Sequence, residues 1–186
     1  MKKQRSGCGL GPEKGFSTAS LCAKSIRRCD QLKNLIIRTA LSKDQVALLA
    51  LEQKVIEAER PYNHTIKTKN AIYYDLDNLL TDPGSHLVVA ELNGEIIGSG
   101  YAKIRESKKS LKHNRHSYLG FMYVSPKRRG LGINGIIIEN LINWSKEQGI
   151  SDLYLDVYDG NDAAIRAYEK IGFSKSLVEM KINLGV

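Results

Sequence analysis

After residue 29 the sequence has no cysteine. Its three cysteines, Cys8, Cys22 and Cys29, crowd into the first stretch at spacings that match no common zinc pattern. The rest of the chain therefore has no disulfide available, and a reducing compartment is the simple reading. No apolar run approaches the roughly 18 residues of a membrane span, so the expectation is a cytoplasmic protein with no membrane partner. Internal repeats and low-complexity tracts are also missing, which excludes solenoid, fibrous and disordered classes. Acidic residues are scarce only at the start. Residues 1–38 hold nine Lys/Arg and two acids, whereas residues 39–186 hold nineteen and eighteen. The later part is nearly neutral, which argues against a broad basic face for nucleic acid; such a partner rests on the N-terminus alone. That segment lacks the apolar centre of a secretory signal, while its serines and shortage of acids leave an organellar transit peptide open. The expectation is a basic, weakly ordered extension over residues 1–33 and one domain over 34–186.

What is present reads as a mixed architecture. Leu35 to Arg38 is strand-like, and Ser42 is placed to cap an amphipathic helix carrying Val46, Leu48, Leu49, Leu51 and Val55, ended by Arg60-Pro61. A second helix is predicted over Ala71 to Leu80, closed by Asp82-Pro83-Gly84. His86–Leu92 and Glu95–Ile104 form a hairpin across Asn93-Gly94, and a further strand runs from Ser117 to Val124, stopped by Pro126. Ile133, Ile136, Ile137, Leu141 and Trp144 recur at helical spacing up to Gly149, with Trp144 expected in the core. Leu153–Val157 is a strand, and Asn161 or Asp162 starts a short helix through Lys170. Phe173 to Leu184 supplies a last strand or two. Helices early, a hairpin in the middle and β-α-β at the end give α/β of the α+β type: a mixed, mostly antiparallel twisted sheet.

The stretch RRGLGINGIII, residues 128–138, has G-x-G-x-x-G spacing at Gly130, Gly132 and Gly135. A glycine turn feeding a helix exposes backbone N–H groups and the positive end of the helix dipole, so it suits any phosphate. Asp156 stands near the place where a dinucleotide fold would put its ribose-binding acid, and is otherwise a strand-end carboxylate. Only 29 residues follow Val157, too few for a second mononucleotide half, and the upstream hairpin is antiparallel. No H-R-D or D-F-G tripeptide supports a kinase loop.

VSPKRRGLGI followed one strand later by NDAAIRAYEKIGF, residues 161–173, resembles the GNAT superfamily of acyl-CoA-dependent N-acetyltransferases. The resemblance covers residues 35–186 and is strongest over 117–173. It implies about six to seven strands, about four helices, and a fourth and fifth strand that splay apart around the pantetheine arm of acetyl-CoA, the cosubstrate, with no metal. By the same resemblance the backbone of Met122 and Val124 pairs with the arm, and Arg129, Gly130, Leu131, Gly132, Ile133 and Asn134 ring the pyrophosphate. Asn161 and Ala164 contact the arm from the far side, Asn161 serving equally as a helix cap, and Tyr168 faces the CoA sulfur as the catalytic acid. Asn134 departs from the family's small residue at that position, which leaves open whether its side chain points toward the phosphates. Implied partners are CoA and an amine acceptor, in a monomer or homodimer. The acceptor stays open among small amines, amino acids or antibiotics, and protein or peptide amines.

The chemistry needs a base as well, because an ammonium with a pKa of about 10.4 is almost fully protonated at neutral pH. No acid lies in the fourth strand, so Tyr118, His116, Glu91 and Glu57 are the candidates, acting directly or through water. Residues 105–116, RESKKSLKHNRH, carry six Lys/Arg counting Lys103 just before them. They read as a solvated loop or as a rim for an anionic acceptor or the CoA 3′-phosphate. Residues 59–70, with Tyr62 and His64, are the expected acceptor-site wall. A non-catalytic acyl-CoA sensor or interaction module on the same fold is the competing class.

Overall fold

The computed structural model describes residues 31–185. Nearly all of the predicted extension, with the three cysteines, lies outside the described residues. Strand β1 (Leu35–Thr39) pairs antiparallel with β2 (Ser85–Leu92), β2 with β3 (Glu95–Glu106), and β3 with β4 (Arg115–Val124). A short β5 (Leu153–Leu155) completes a sheet in the order β1-β2-β3-β4-β5, and it alone runs parallel to its neighbour. The β2–β3 turn has positive φ at both Asn93 (53°) and Gly94 (83°), the geometry that matches the twist of the flanking strands.

Both faces of the sheet are covered, which is why β2 reads as an unbroken apolar run. Leu87 and Val89 point to one face, where Leu48, Leu51 and Val55 of helix α1 (Gln45–Glu59) join Tyr101 and Phe121 in one cluster. Val88 and Ala90 point to the other, toward α3 (Ile133–Glu147), whose Ile137, Ile138 and Leu141 are fully buried. Ile137 lies so close to Gly98 and Gly100 of β3 that a Cβ on Gly100 would sit 2.7 Å from it, so α3 packs directly on backbone.

Several expectations are corrected. Ser42 opens a single 3-10 turn and makes no side-chain cap; Asp44 takes the Leu41 N–H at 2.8 Å and two guanidinium nitrogens of Arg38 at 2.6 and 2.9 Å. Helix α2 covers only Leu76–Thr81, capped by Asp75, because Glu52 of α1 accepts the Tyr73 and Tyr74 N–H groups and holds residues 71–75 out of a helix. β5 stops at Leu155 instead of Val157. Residues 174–184 form no strand: Leu177, Met180 and Ile182 are each at least 80% exposed, and the run pairs with none of the five strands. An alternating pattern gives a segment two faces but no partner edge, so the sheet has five strands instead of six or seven. Trp144 is half-buried, its ring stacked on His86 at 5.3 Å, instead of lying in the core.

Candidate functional site

β4 and β5 pair over three residues only, from Ser117 opposite Leu153 to Leu119 opposite Leu155. Beyond Leu119, β4 runs on through Gly120–Val124 with β3 as its one neighbour in the sheet, so the expected splay is present. Within that stretch the β3–β4 register slips between Ser99 and Tyr101, and Phe121 adopts φ 53°. A left-handed conformation costs a non-glycine residue roughly 1–2 kcal/mol, and such strain collects at functional sites. It is held by packing: Phe121 is 1% exposed, its ring stacks on Tyr74 at 4.5 Å, and its carbonyl accepts the Ser99 hydroxyl at 3.0 Å.

At the end of β4 a 3-10 turn (Pro126–Arg128) brings Lys127 and Arg128 to the start of α3. Gly130 (φ 77°) and Gly132 (φ 82°) then turn the chain left-handed, Gly132 standing as the helix N-cap. The N–H groups of Ile133, Asn134 and Gly135 fall in the first turn, where helix geometry offers no internal acceptor. With the dipole behind them and three successive cations before them, they form an anion cradle. Arg129 Nε donates to the Val124 carbonyl at 3.3 Å, tying the cradle to the open end of β4.

Between the diverging strands lies a cleft of about 330 Å³. Tyr118–Met122 form one side and Leu155–Tyr158 the other; Val55, Glu59, Tyr73, Tyr74, Tyr101, Tyr168 and Glu179 complete the lining. Tyr168 projects from α4 (Asp162–Glu169), with its ring edge against Phe173 at 6.0 Å. Burial first, and then the nearby Glu59 carboxylate, push its hydroxyl pKa up to about 12. Asn161 caps α4 by accepting the Ala164 N–H at 3.2 Å, so its side-chain oxygen already has a structural duty. Residues 59–70 do reach the cleft wall: Tyr62 stacks on Tyr158 at 6.2 Å and Asn63 donates to the Tyr158 hydroxyl at 3.0 Å, whereas His64 is exposed.

The four candidate bases separate cleanly. Tyr118 lines the cleft and donates its hydroxyl to Asp156 at 2.7 Å; burial and that carboxylate raise its pKa. His116 sits at the start of β4 against Ser107 and Tyr154, its pKa lowered by burial and then by Arg105 and His113. Glu91 is paired with Arg38, and Glu57 is exposed beside Arg60. Neither lines the cleft. Sequence reasoning missed Glu59, which does. Burial raises its pKa, with Tyr73 acting against that. The signal was there: Leu48, Glu52, Val55 and Glu59 recur at three- and four-residue spacing, an inward stripe carrying two acids. Glu179 gave no such signal, since its segment has no period in the structure.

The sequence profile of the acetyltransferase (GNAT) family matches residues 52–173. A thialysine N-epsilon-acetyltransferase from Bos taurus is 31% identical over 144 residues, 74% of this chain and 83% of that protein. A mycothiol acetyltransferase from Paenarthrobacter aurescens is 28% identical over 95 residues, and the match spans half of this chain and 28% of that relative's length. Among solved structures, a Bacillus halodurans protein matches with TM-score 0.71 at 24% identity over 80% of this chain and 99% of its own. A predicted acetyltransferase from Clostridium acetobutylicum, solved with acetyl-CoA, matches with TM-score 0.63 at 22% identity over 81% and 96%. These two likenesses concern the fold. Among the described residues no helix is long and apolar enough to cross a membrane, and no group of three or more His, Cys, Asp or Glu is placed to hold a metal ion.

Proposed function

The chain belongs to the acetyltransferase (GNAT) family, and from that premise we propose that it transfers the acetyl group of acetyl-CoA to a primary amine by direct attack on the thioester. The observation that carries this reading is the conjunction of an unpaired β4 edge, an anion cradle at its end, and a tyrosine-lined cleft beside it. A pantetheine arm carries amides that bond to an open strand edge as an added strand would. Met122 and Val124 supply that edge, and Arg129, Gly130, Leu131, Gly132, Ile133 and Asn134 supply backbone donors and charge to the pyrophosphate. Asn161 and Ala164 hold the start of α4 against the arm, the Asn161 side chain serving as cap.

The amine nitrogen attacks the thioester carbon, and the oxyanion that forms is met by a backbone N–H of the bulged stretch of β4. As the C–S bond breaks, Tyr168 donates its proton to the departing thiolate. A phenol raised to about 12 is protonated throughout the physiological range, which suits a donor and disqualifies it as a resting base.

Thiol release from acetyl-CoA, followed across a panel of amines, tests the proposal. Stoichiometric release and acetylation with at least one amine is the expected result. Saturable CoA binding with no turnover of any amine would instead assign the fold to acyl-CoA sensing.

A further inference from the structure

Three carboxylates, Glu59, Asp156 and Glu179, line the cleft, and no lysine or arginine does. They come from three unconnected places: the last turn of α1, the point where the chain leaves β5, and the irregular run after α4. The rest of the lining is dominated by tyrosine faces, which attract cations as well as apolar chains. Asp156 already accepts the Tyr118 hydroxyl, and an ionised carboxylate keeps further acceptor sites. One cation stands against the three carboxylates, the Arg105 guanidinium 3.6 Å from the centre of the Tyr118 ring, so an anionic acceptor would still meet net repulsion here.

Glu59 is placed differently from the other two. It is half-buried at the C-terminal end of α1, where the helix dipole adds to the cost of a negative charge. Tyr73, Tyr74 and Tyr168 all feel it electrostatically, and it lies on the same cleft as the tyrosine proposed to protonate the thiolate. The Tyr73 hydroxyl beside it is cut off from water, and Glu59 and Tyr158 are the polar groups next to it. A carboxylate whose ionised form burial disfavours gains most from a cation beside it.

We infer that the acceptor is a polycationic amine, its reacting ammonium received and deprotonated by Glu59 and a second positive charge received by Asp156 and Glu179. This rests on the acetyl-transfer reading and deepens it. The balance is simple. Glu59 takes one proton from R–NH₃⁺ and later returns it to water. The free amine attacks, the C–N bond forms and the C–S bond breaks. The thiolate takes the Tyr168 proton, and the second proton lost by nitrogen restores Tyr168.

The test compares 1,4-diaminobutane, n-butylamine and an amino sugar phosphate as acceptors for the full chain with acetyl-CoA. The diamine should exceed n-butylamine in kcat/KM by tenfold or more at low salt, an advantage that shrinks as salt rises, and the phosphate should be poorest. Glu179→Gln should raise KM for the diamine several-fold more than KM for n-butylamine. Glu59→Gln should lower kcat for every amine by about 10²–10⁴-fold. If the Gln variant does not fold, Glu59→Asp, which keeps the charge and withdraws it, should show a smaller loss of kcat. Equal use of all three amines, or full kcat in both Glu59 variants, would overturn this inference and leave acetyl transfer standing. Failure of every amine with CoA still bound would overturn the acetyl-transfer reading and this inference together.

Discussion

Replacing Glu52 should damage amine binding from outside the cleft. Its side chain is 1% exposed, and one carboxylate oxygen accepts the Tyr73 N–H at 2.7 Å and the Tyr74 N–H at 2.8 Å. Those bonds fix a segment that has no helix or strand of its own, yet it presents two tyrosines to the cleft. Tyr74 in turn stacks on the strained Phe121 and meets Tyr101 edge-on at 5.8 Å. A hydrogen bond to a charged acceptor is worth about 1.5–3 kcal/mol, so Glu52→Ala should cost roughly 3–6 kcal/mol. At about 2–4 °C per kcal/mol for a unit of this size, Tm should fall by roughly 6–24 °C. Glu52→Gln keeps an acceptor oxygen and should lose about half as much. Urea and thermal melts give the stability, and steady-state kinetics on folded Glu52→Gln protein give the function: KM for the amine should rise more than KM for acetyl-CoA. Two variants within 0.5 kcal/mol of the parent chain would refute the claim that Glu52 holds the segment. A destabilised Gln variant with unchanged KM values would refute the link from segment to cleft.

Tyr168→Phe removes only the hydroxyl, so CoA affinity and Tm should hold while kcat falls about 10²–10⁴-fold in a chemistry-limited assay. Gly132→Val puts a β-branched residue at φ 82° in the cradle and should weaken CoA binding more than tenfold by calorimetry, whereas Asn134→Ala should change it less than twofold. The Asp44 pKa is lowered, foremost by its hydrogen bonds from Arg38. A lowered folded value contributes stability above the ordinary carboxylate pKa of about 3.9, and that contribution is lost as pH falls through the folded value. Asp44→Asn should therefore melt lower than the parent chain at pH 7, with the two curves converging once the pH has fallen well below the ordinary carboxylate range.

How much was legible depended on what each residue answers to. The Asn93-Gly94 hairpin and the glycine turn into α3 were readable because short-range backbone geometry decides them. The short helix that carries Tyr168 was readable for a similar reason, since its cap at Asn161 is local. Residues 71–75 misread as helix because a long-range carboxylate claims their N–H groups, and no window around Tyr73 contains Glu52. The strand expected over 173–184 failed likewise, for lack of a partner. Glu59 was overlooked in favour of Glu57, two residues away on the solvent side of α1; the helical stripe distinguished them, but only the splay of β4 and β5 made the inward acid matter. The charge of the cleft belongs to three distant segments and is visible only once they meet.

The sole tryptophan also determines how this chain will look to light. All indole emission comes from Trp144, a half-buried ring on α3 lying nearly flat on His86 of β2, the two planes 13° apart. A fluorescence melt therefore does not average over the molecule. It follows the separation of one helix from one strand, and that helix is the one whose first turn forms the anion cradle. A spectral change on titrating CoA would record α3 shifting against the sheet, with no dye, label or second chromophore to disentangle.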